Sequence, residues 1–270
     1  MDRPGAPGNN APPLSQFPIF PMRVLFLILL MLLAGAPVQA GEFTVCVDSN
    51  DWGVYTYPDR DGALQTLVRA AATRLGGEIR FVGYPWRRCE LMVEKGEIDG
   101  LLAVPWTDLS KGRFVFPMKD GQADPARAAA VVDLVLMRRA DSPVTWDGKH
   151  LRGLDGTVAH VQGYAELGGA LDALGIPNSD DYKSDLLDVR AMLAGRTNVI
   201  ATYAESADML AAMPMLAGRI VRMAPPFAHL PYYIAFGRDV YANRHDEIEA
   251  LWRDIAEQRR GGGSAGDAVR

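Results

Sequence analysis

The chain is poor in several things that would define a function class. Only two cysteines occur in 270 residues. Lys and Arg number 28 against 33 Asp and Glu, a formal charge of -5, so no basic excess exists to neutralise a phosphate backbone and no nucleic-acid partner is expected. The apolar run 24–33 falls short of the roughly 20 residues that cross a hydrocarbon core. His150, His160, His229 and His245 show no HExxH spacing, and neither a GxSxG elbow nor a GxxxxGK phosphate loop is present. A cysteine nucleophile would need one thiol left unpaired beside a histidine. No enzyme class is marked, and neither a cofactor nor a metal is expected.

What is present describes an exported globular protein. At 49% hydrophobic and 23% charged the composition is ordinary, and the length suits one large domain or two lobes. Met22-Arg23, the apolar run 24–33 and the small-residue stretch 34–40 ending Val38-Gln39-Ala40 read as a secretory signal peptide over 22–40, cleaved near Ala40. Position 41 is Gly rather than Cys, which argues against lipid attachment at the new terminus. Residues 1–21, rich in proline, are either a disordered leader or a mis-assigned start with Met22 as initiator. Cys46 and Cys89 survive cleavage. In an oxidising compartment they are a disulfide candidate, the alternative being two buried thiols.

Hydrophobic periodicity predicts alternating strands and helices. Residues 43–47 form a β-rich run, followed by a turn-rich loop over 48–62. Apolar positions 64, 67, 68, 71, 72 and 75 give a helix closed by Gly76-Gly77. A strand at 79–82, a helix from about 86 to 95 and a strand at 98–104 complete a βαβαβ unit. A second unit follows, with strands at 131–137, 157–161 and 199–203 and helices at 163–174 and 186–193. A strand at 232–236, a helix at 246–258 and a mobile tail at 261–270 end the chain. Such alternation implies parallel sheets flanked by helices, with ligands gathering at the carboxyl ends of the strands.

The stretch Leu151-Arg-Gly-Leu-Asp-Gly-Thr-Val-Ala-His-Val-Gln-Gly-Tyr resembles the opening of the second lobe in family 3 extracellular solute-binding proteins, the periplasmic components of polar amino acid uptake systems. Pro85-Trp86-Arg87-Arg88, Glu94-Lys-Gly96, Ile98-Asp99-Gly100 and the segment 107–116 resemble its first lobe, so the likeness runs in order over about 42–259. The resemblance implies an α/β, two-lobed periplasmic binding protein fold of type II, each lobe a mostly parallel sheet flanked by helices, with two crossover hinges. Lobe 1 would comprise 41–130 and 231–260, lobe 2 would comprise 131–230, and the hinges would lie near Val131 and Leu230. It implies a monomer that closes on a small-molecule ligand and meets an inner-membrane ABC permease or, alternatively, a membrane sensor.

Two departures from the family pattern bear on the ligand. Counted from Thr107, the position of the arginine that clamps an α-carboxylate falls on Ser110, with Arg113 three residues on. The position of the aspartate that receives the α-amino group falls on Tyr203, with Glu205 nearby. A hydroxyl replaces neither the charge nor the fork of a guanidinium, so common α-amino acids are not expected to bind well. Trp52, Tyr55, Trp86, Trp106, Tyr164 and Tyr203 lie on or beside strand-end loops and offer faces for a flat, apolar or cationic ligand. Arg87 is a candidate for an anionic group. Gly163 and Tyr164 open a helix whose free N–H groups would face the cleft rim, a second place for an anion or simply a tight turn. Trp146 and Trp252 read as structural.

Overall fold

The computed structural model describes residues 41–261. The stretches read from sequence as a leader over 1–21 and a signal peptide over 22–40, and residues 262–270 of the expected tail, lie outside the described residues. Among those described, no helix is long and apolar enough to cross a membrane.

The first wing is built from β1 (Glu42–Asp48), α1 (Ala63–Arg74), β2 (Glu78–Tyr84), α2 (Trp86–Glu94) and β3 (Gly100–Pro105). β1 lies between β2 and β3 and pairs with both in parallel, which explains why Val45, Cys46 and Val47 are all buried rather than alternating. Helix α1 buries Leu64, Gln65, Val68, Ala71 and Ala72 at the three- and four-residue spacing of one helical face. Helix α2 turns Cys89 and Val93 inward, and Cys89 is joined to Cys46 by a disulfide. A small hairpin, β4 (Met118–Lys119) with β5 (Gln122–Ala123), then leads to β6 (Ala130–Arg139).

The second wing follows a hairpin of β7 (Thr145–Trp146) and β8 (Leu151–Arg152). It contains β9 (Val158–Val161), α3 (Ala165–Ala173), β10 (Asn178–Tyr182), α4 (Asp185–Leu193), β11 (Val199–Tyr203), α5 (Ala204–Ala212) and β12 (Ile220–Arg222). The chain returns through β13 (Ala228–Phe236) to α6 (Arg238–Asn243) and α7 (His245–Gly261), and α7 packs on α1. Trp252 of α7 is fully buried, with its indole N–H on the carbonyl of Ile234 at 2.9 Å. Trp146 is buried too, its N–H on the carbonyl of Pro225 at 2.8 Å.

The principal sheet has nine strands in the order β10-β9-β11-β6-β13-β3-β1-β2, with β12 added beside β6. Its wings are parallel, and its centre, where β6 and β13 cross, is antiparallel. Strand β13 changes partners along its length. Ala228 to Tyr232 pair with β6, and Tyr232 to Phe236 pair with β3. It begins four residues before the predicted 232–236, because Pro231 interrupts the sequence signal while the backbone around it remains paired.

Candidate functional site

The strand ends on both sides of the β6–β13 crossing carry aromatic rings that meet. Trp52 and Tyr55 sit in the loop after β1, where a short bridge joins Trp52 to Thr56. That loop is pinned by Gln65 of α1, whose carbonyl oxygen accepts from the backbone N–H of Tyr57 and of Gly62, both at 2.9 Å, while its amide donates to Tyr57 O at 2.9 Å. Gly62 is required by close approach: a Cβ there would lie 2.6 Å from the carbonyl carbon of Tyr55 and 2.9 Å from Thr56 N. Tyr164 caps α3, Tyr203 ends β11 where α5 begins, and Tyr232 lies on β13. The Trp52 ring is 4.7 Å from Tyr55, 4.6 Å from Tyr232 and 5.6 Å from Tyr203 between centroids, and Tyr164 is 5.5 Å from Tyr203. Separations and tilts of this kind are those of favourable aromatic pairs.

Two carboxylates hold the phenols. Glu166 stands in the first turn of α3 and Glu205 in the first turn of α5, where the helix dipole favours negative charge. The Tyr203 hydroxyl donates to Glu166 Oε1, and the Tyr232 hydroxyl lies 3.3 Å from both that oxygen and the Tyr203 hydroxyl. The Tyr55 hydroxyl donates to Glu205 Oε1, which links the loop after β1 to α5 across the centre of the molecule. The other oxygen, Oε2 of Glu205, is shielded from solvent and has no hydrogen-bond partner. Neither glutamate forms an ion pair among the described residues.

Burial is the main reason the phenol protons are held tightly. It pushes Tyr203 and Tyr232 well above the ordinary phenol range, and the Glu166 charge adds to it. Tyr164 is raised to about 12 by burial and then by Asp185, Glu166 and Asp48. Tyr55 is raised by burial, by its bond to Glu205, and by the charges of Glu205 and Asp133. The full charges acting on these four phenols are carboxylates. Asp133 itself is bonded to His229 Nδ1 at 2.6 Å.

The structure therefore brings Trp52, Tyr55, Tyr164 and Tyr203 together and leaves other sequence candidates apart. Trp86 and Trp106 are half-buried against the core around the disulfide, with Lys111 Nζ 5.5 Å from the Trp106 ring centroid. Arg87 has 74% of its side chain exposed and pairs with Glu90 at 3.1 Å. Ser110 is buried with its hydroxyl donating to Pro105 O at 2.6 Å and accepting from the Thr107 N–H at 2.9 Å, so it folds its own turn. Arg113 cannot stand in for the missing clamp, because Glu94 at 2.6 Å and Glu90 at 3.0 Å already engage it. Gly163 is exposed with φ of +89°, a conformation that suits glycine at this turn. Glu166 stands in the first turn of α3, so an anion at that helix start would be opposed by a carboxylate.

Sequence reasoning missed Tyr232 and Glu166. A signal was present: Tyr-Ala-Glu occurs twice, at 164–166 and 203–205, each time where a strand hands over to a helix. Each copy places a ring at the helix start and a carboxylate in the first turn. Among the described residues no group of three or more His, Cys, Asp or Glu side chains is arranged to hold a metal ion.

No protein-family model and no curated protein matches the chain. Solved structures do resemble it. A histidine kinase sensor domain with similarity to periplasmic binding proteins shares 18% identity, covering 86% of this chain and 95% of that one, with a TM-score of 0.59. The GluR0 ligand-binding core from Nostoc punctiforme, in complex with L-glutamate, shares 14% over 80% of this chain and 93% of that one, with a TM-score of 0.57. The L-cystine solute receptor of Neisseria gonorrhoeae, in an unliganded open conformation, shares 16% over 85% and 93%, with a TM-score of 0.56. Two parallel-stranded wings joined through the antiparallel β6–β13 crossing, together with these likenesses, give this chain the type II periplasmic-binding-protein fold.

Proposed function

We propose that the chain is an exported, monomeric solute-binding protein, released into the periplasm by cleavage near Ala40. Its two lobes, 41–130 with 231–260 and 131–230, close on a small polar or aromatic-stackable ligand and present it to an inner-membrane ABC permease. The observation that carries this reading is the aromatic cluster, to which the loop after β1, the strand β13 and the helix starts of the second wing all contribute. A ligand that touches both lobes favours the closed state by its differential affinity, and closure is then a shift of population.

A second reading, a periplasmic sensing module that signals to a membrane receptor without transport, is favoured by the likeness to the kinase sensor domain. Delivery and sensing share the ligand step and differ in the membrane partner. No catalytic role is proposed.

A metabolite screen by thermal shift on the mature protein, followed by small-angle scattering with and without the best compound, tests the ligand step. Selective binding is expected to raise the melting temperature with the logarithm of ligand excess and to shrink the radius of gyration. A screen without any stabilising compound, together with unchanged scattering, rejects both readings. Co-purification of the membrane partner separates permease from receptor.

A further inference from the structure

Resting on the solute-binding reading, we propose that the ligand is a small organic cation with N–H donors, an amine or guanidinium carrying no carboxylate, seated with those donors on Glu205 against the rings of Trp52, Tyr55 and Tyr203.

Four observations converge on this class. First, Trp52 gathers the rings of Tyr55, Tyr203 and Tyr232 within 4.6–5.6 Å between centroids, and an aromatic face presented to a ligand attracts positive charge. Second, its two internal charged groups, Glu166 and Glu205, are both anionic and neither is neutralised by an ion pair among the described residues. Third, among the described residues neither candidate for a carboxylate grip is free to act as one. Ser110 spends its hydroxyl on Pro105, and Arg113 is held by Glu90 and Glu94. A carboxylate entering beside Glu166 and Glu205 would meet like charge in a desolvated place.

The fourth observation separates N–H cations from fully methylated ones. Glu205 Oε1 accepts from Tyr55, while Oε2 is shielded from solvent and lacks a donor. Buried polar atoms are almost always satisfied, and a buried carboxylate oxygen is costly to leave otherwise. An ammonium or guanidinium supplies both the missing donor and the countercharge, whereas a quaternary ammonium supplies only the charge. Burial is the first cause of the raised pKa of Tyr55, Tyr164, Tyr203 and Tyr232, and the carboxylates that add to it are Glu205 and Asp133 for Tyr55, Asp185, Glu166 and Asp48 for Tyr164, and Glu166 for Tyr203 and Tyr232.

Matched pairs that differ by one carboxylate provide the test. Titration calorimetry on the mature protein would compare agmatine with arginine, phenethylamine with phenylalanine, and cadaverine with lysine, with choline and glutamate alongside. At least one amine is expected to bind about tenfold or more tightly than its amino acid and than choline. Glu205→Gln, which keeps the shape and removes the charge, is expected to weaken that amine about tenfold or more. Glu205→Asp with an unchanged melting temperature serves as a second variant if the amide form folds poorly, and it too is expected to weaken binding. Equal or tighter binding of an amino acid, of choline, or of an anionic or neutral compound from the metabolite screen overturns the cation assignment and leaves the solute-binding reading standing. Amine binding that is indifferent to both Glu205 variants overturns the seat at Glu205. The absence of any bound compound of any class sinks both.

Discussion

The bond between Cys46 and Cys89 spans 43 residues, a loop that contains Trp52, Tyr55, all of α1 and all of β2. Both half-cystines are fully buried, Cys46 in the middle of β1 and Cys89 on the inward face of α2. Opening the bond frees the unfolded chain, and the chain-entropy relation for a loop of this length gives about 4 kcal/mol of lost stability at 25 °C. For a domain of this size about 1 kcal/mol corresponds to roughly 2–4 °C, so the melting temperature should fall by about 8–16 °C. The assay is urea unfolding of the mature protein in its oxidised form and of the Cys46→Ala/Cys89→Ala double variant, followed by near- and far-UV circular dichroism. Because the sulfurs are out of reach of solvent, the native protein should resist mild reductant until urea opens it, and thiol titration of the native form should find no free thiol. A double variant with an unchanged urea midpoint and slope would refute the reasoning, as would two titratable thiols in the folded secreted protein.

Gly62→Ala should push a methyl group into the backbone of Tyr55 and Thr56, cost about 1–3 kcal/mol, and weaken ligand binding by displacing Trp52 and Tyr55; an unaltered melting curve and affinity would contradict this. Asp188, on the buried face of α4, has both carboxylate oxygens shielded and unpartnered, and burial followed by the charges of Asp185 and Asp181 raises its pKa from 3.8 to about 7. The folded state thus keeps a proton that the unfolded chain releases, so this contribution to stability is full below pH 3.8 and is lost as the pH rises through about 7. Over that window the loss amounts to at most about 4 kcal/mol, and Asp188→Asn should flatten it; identical pH profiles of urea midpoints would show the assignment to be wrong. Tyr203→Phe should cost roughly 1–3 kcal/mol by removing a donor from half-buried Glu166, measured by the same unfolding curves, and no change would argue against that bond.

Much of the fold was legible because its strands are apolar and its helices are punctuated by glycine. The strand Val199–Tyr203 matches the predicted bounds, and the two first-wing helices match to within a residue. Strand β10, Asn178–Tyr182, escaped notice because it is an edge strand of polar residues paired only with β9, with no apolar alternation to see. Helix α5 was missed for another reason: it starts directly on Tyr203 without a side-chain cap hydrogen bond and without a turn residue to announce it. At the site, sequence marks tryptophans and tyrosines near strand ends but not the direction of each ring. Trp86 and Trp106 satisfy the same rule as Trp52, yet they pack on the core around the disulfide. Convergence depends on the crossing of β6 and β13, a long-range pairing with no local signature.

Tyr232 stands where β13 passes from one neighbour to the other, opposite Ala130 on one side and Pro105 on the other. On the reading proposed above, any change of angle between the wings turns about this residue, so its ring travels least. Glu166 and Tyr203, which share its hydrogen bonds, would then form a floor that stays in place, while the loop bearing Trp52 and Tyr55 would swing as a lid. Selectivity would reside in Glu205 beside that floor, and the rate of release in the Tyr55–Glu205 latch that fastens the lid to the second wing.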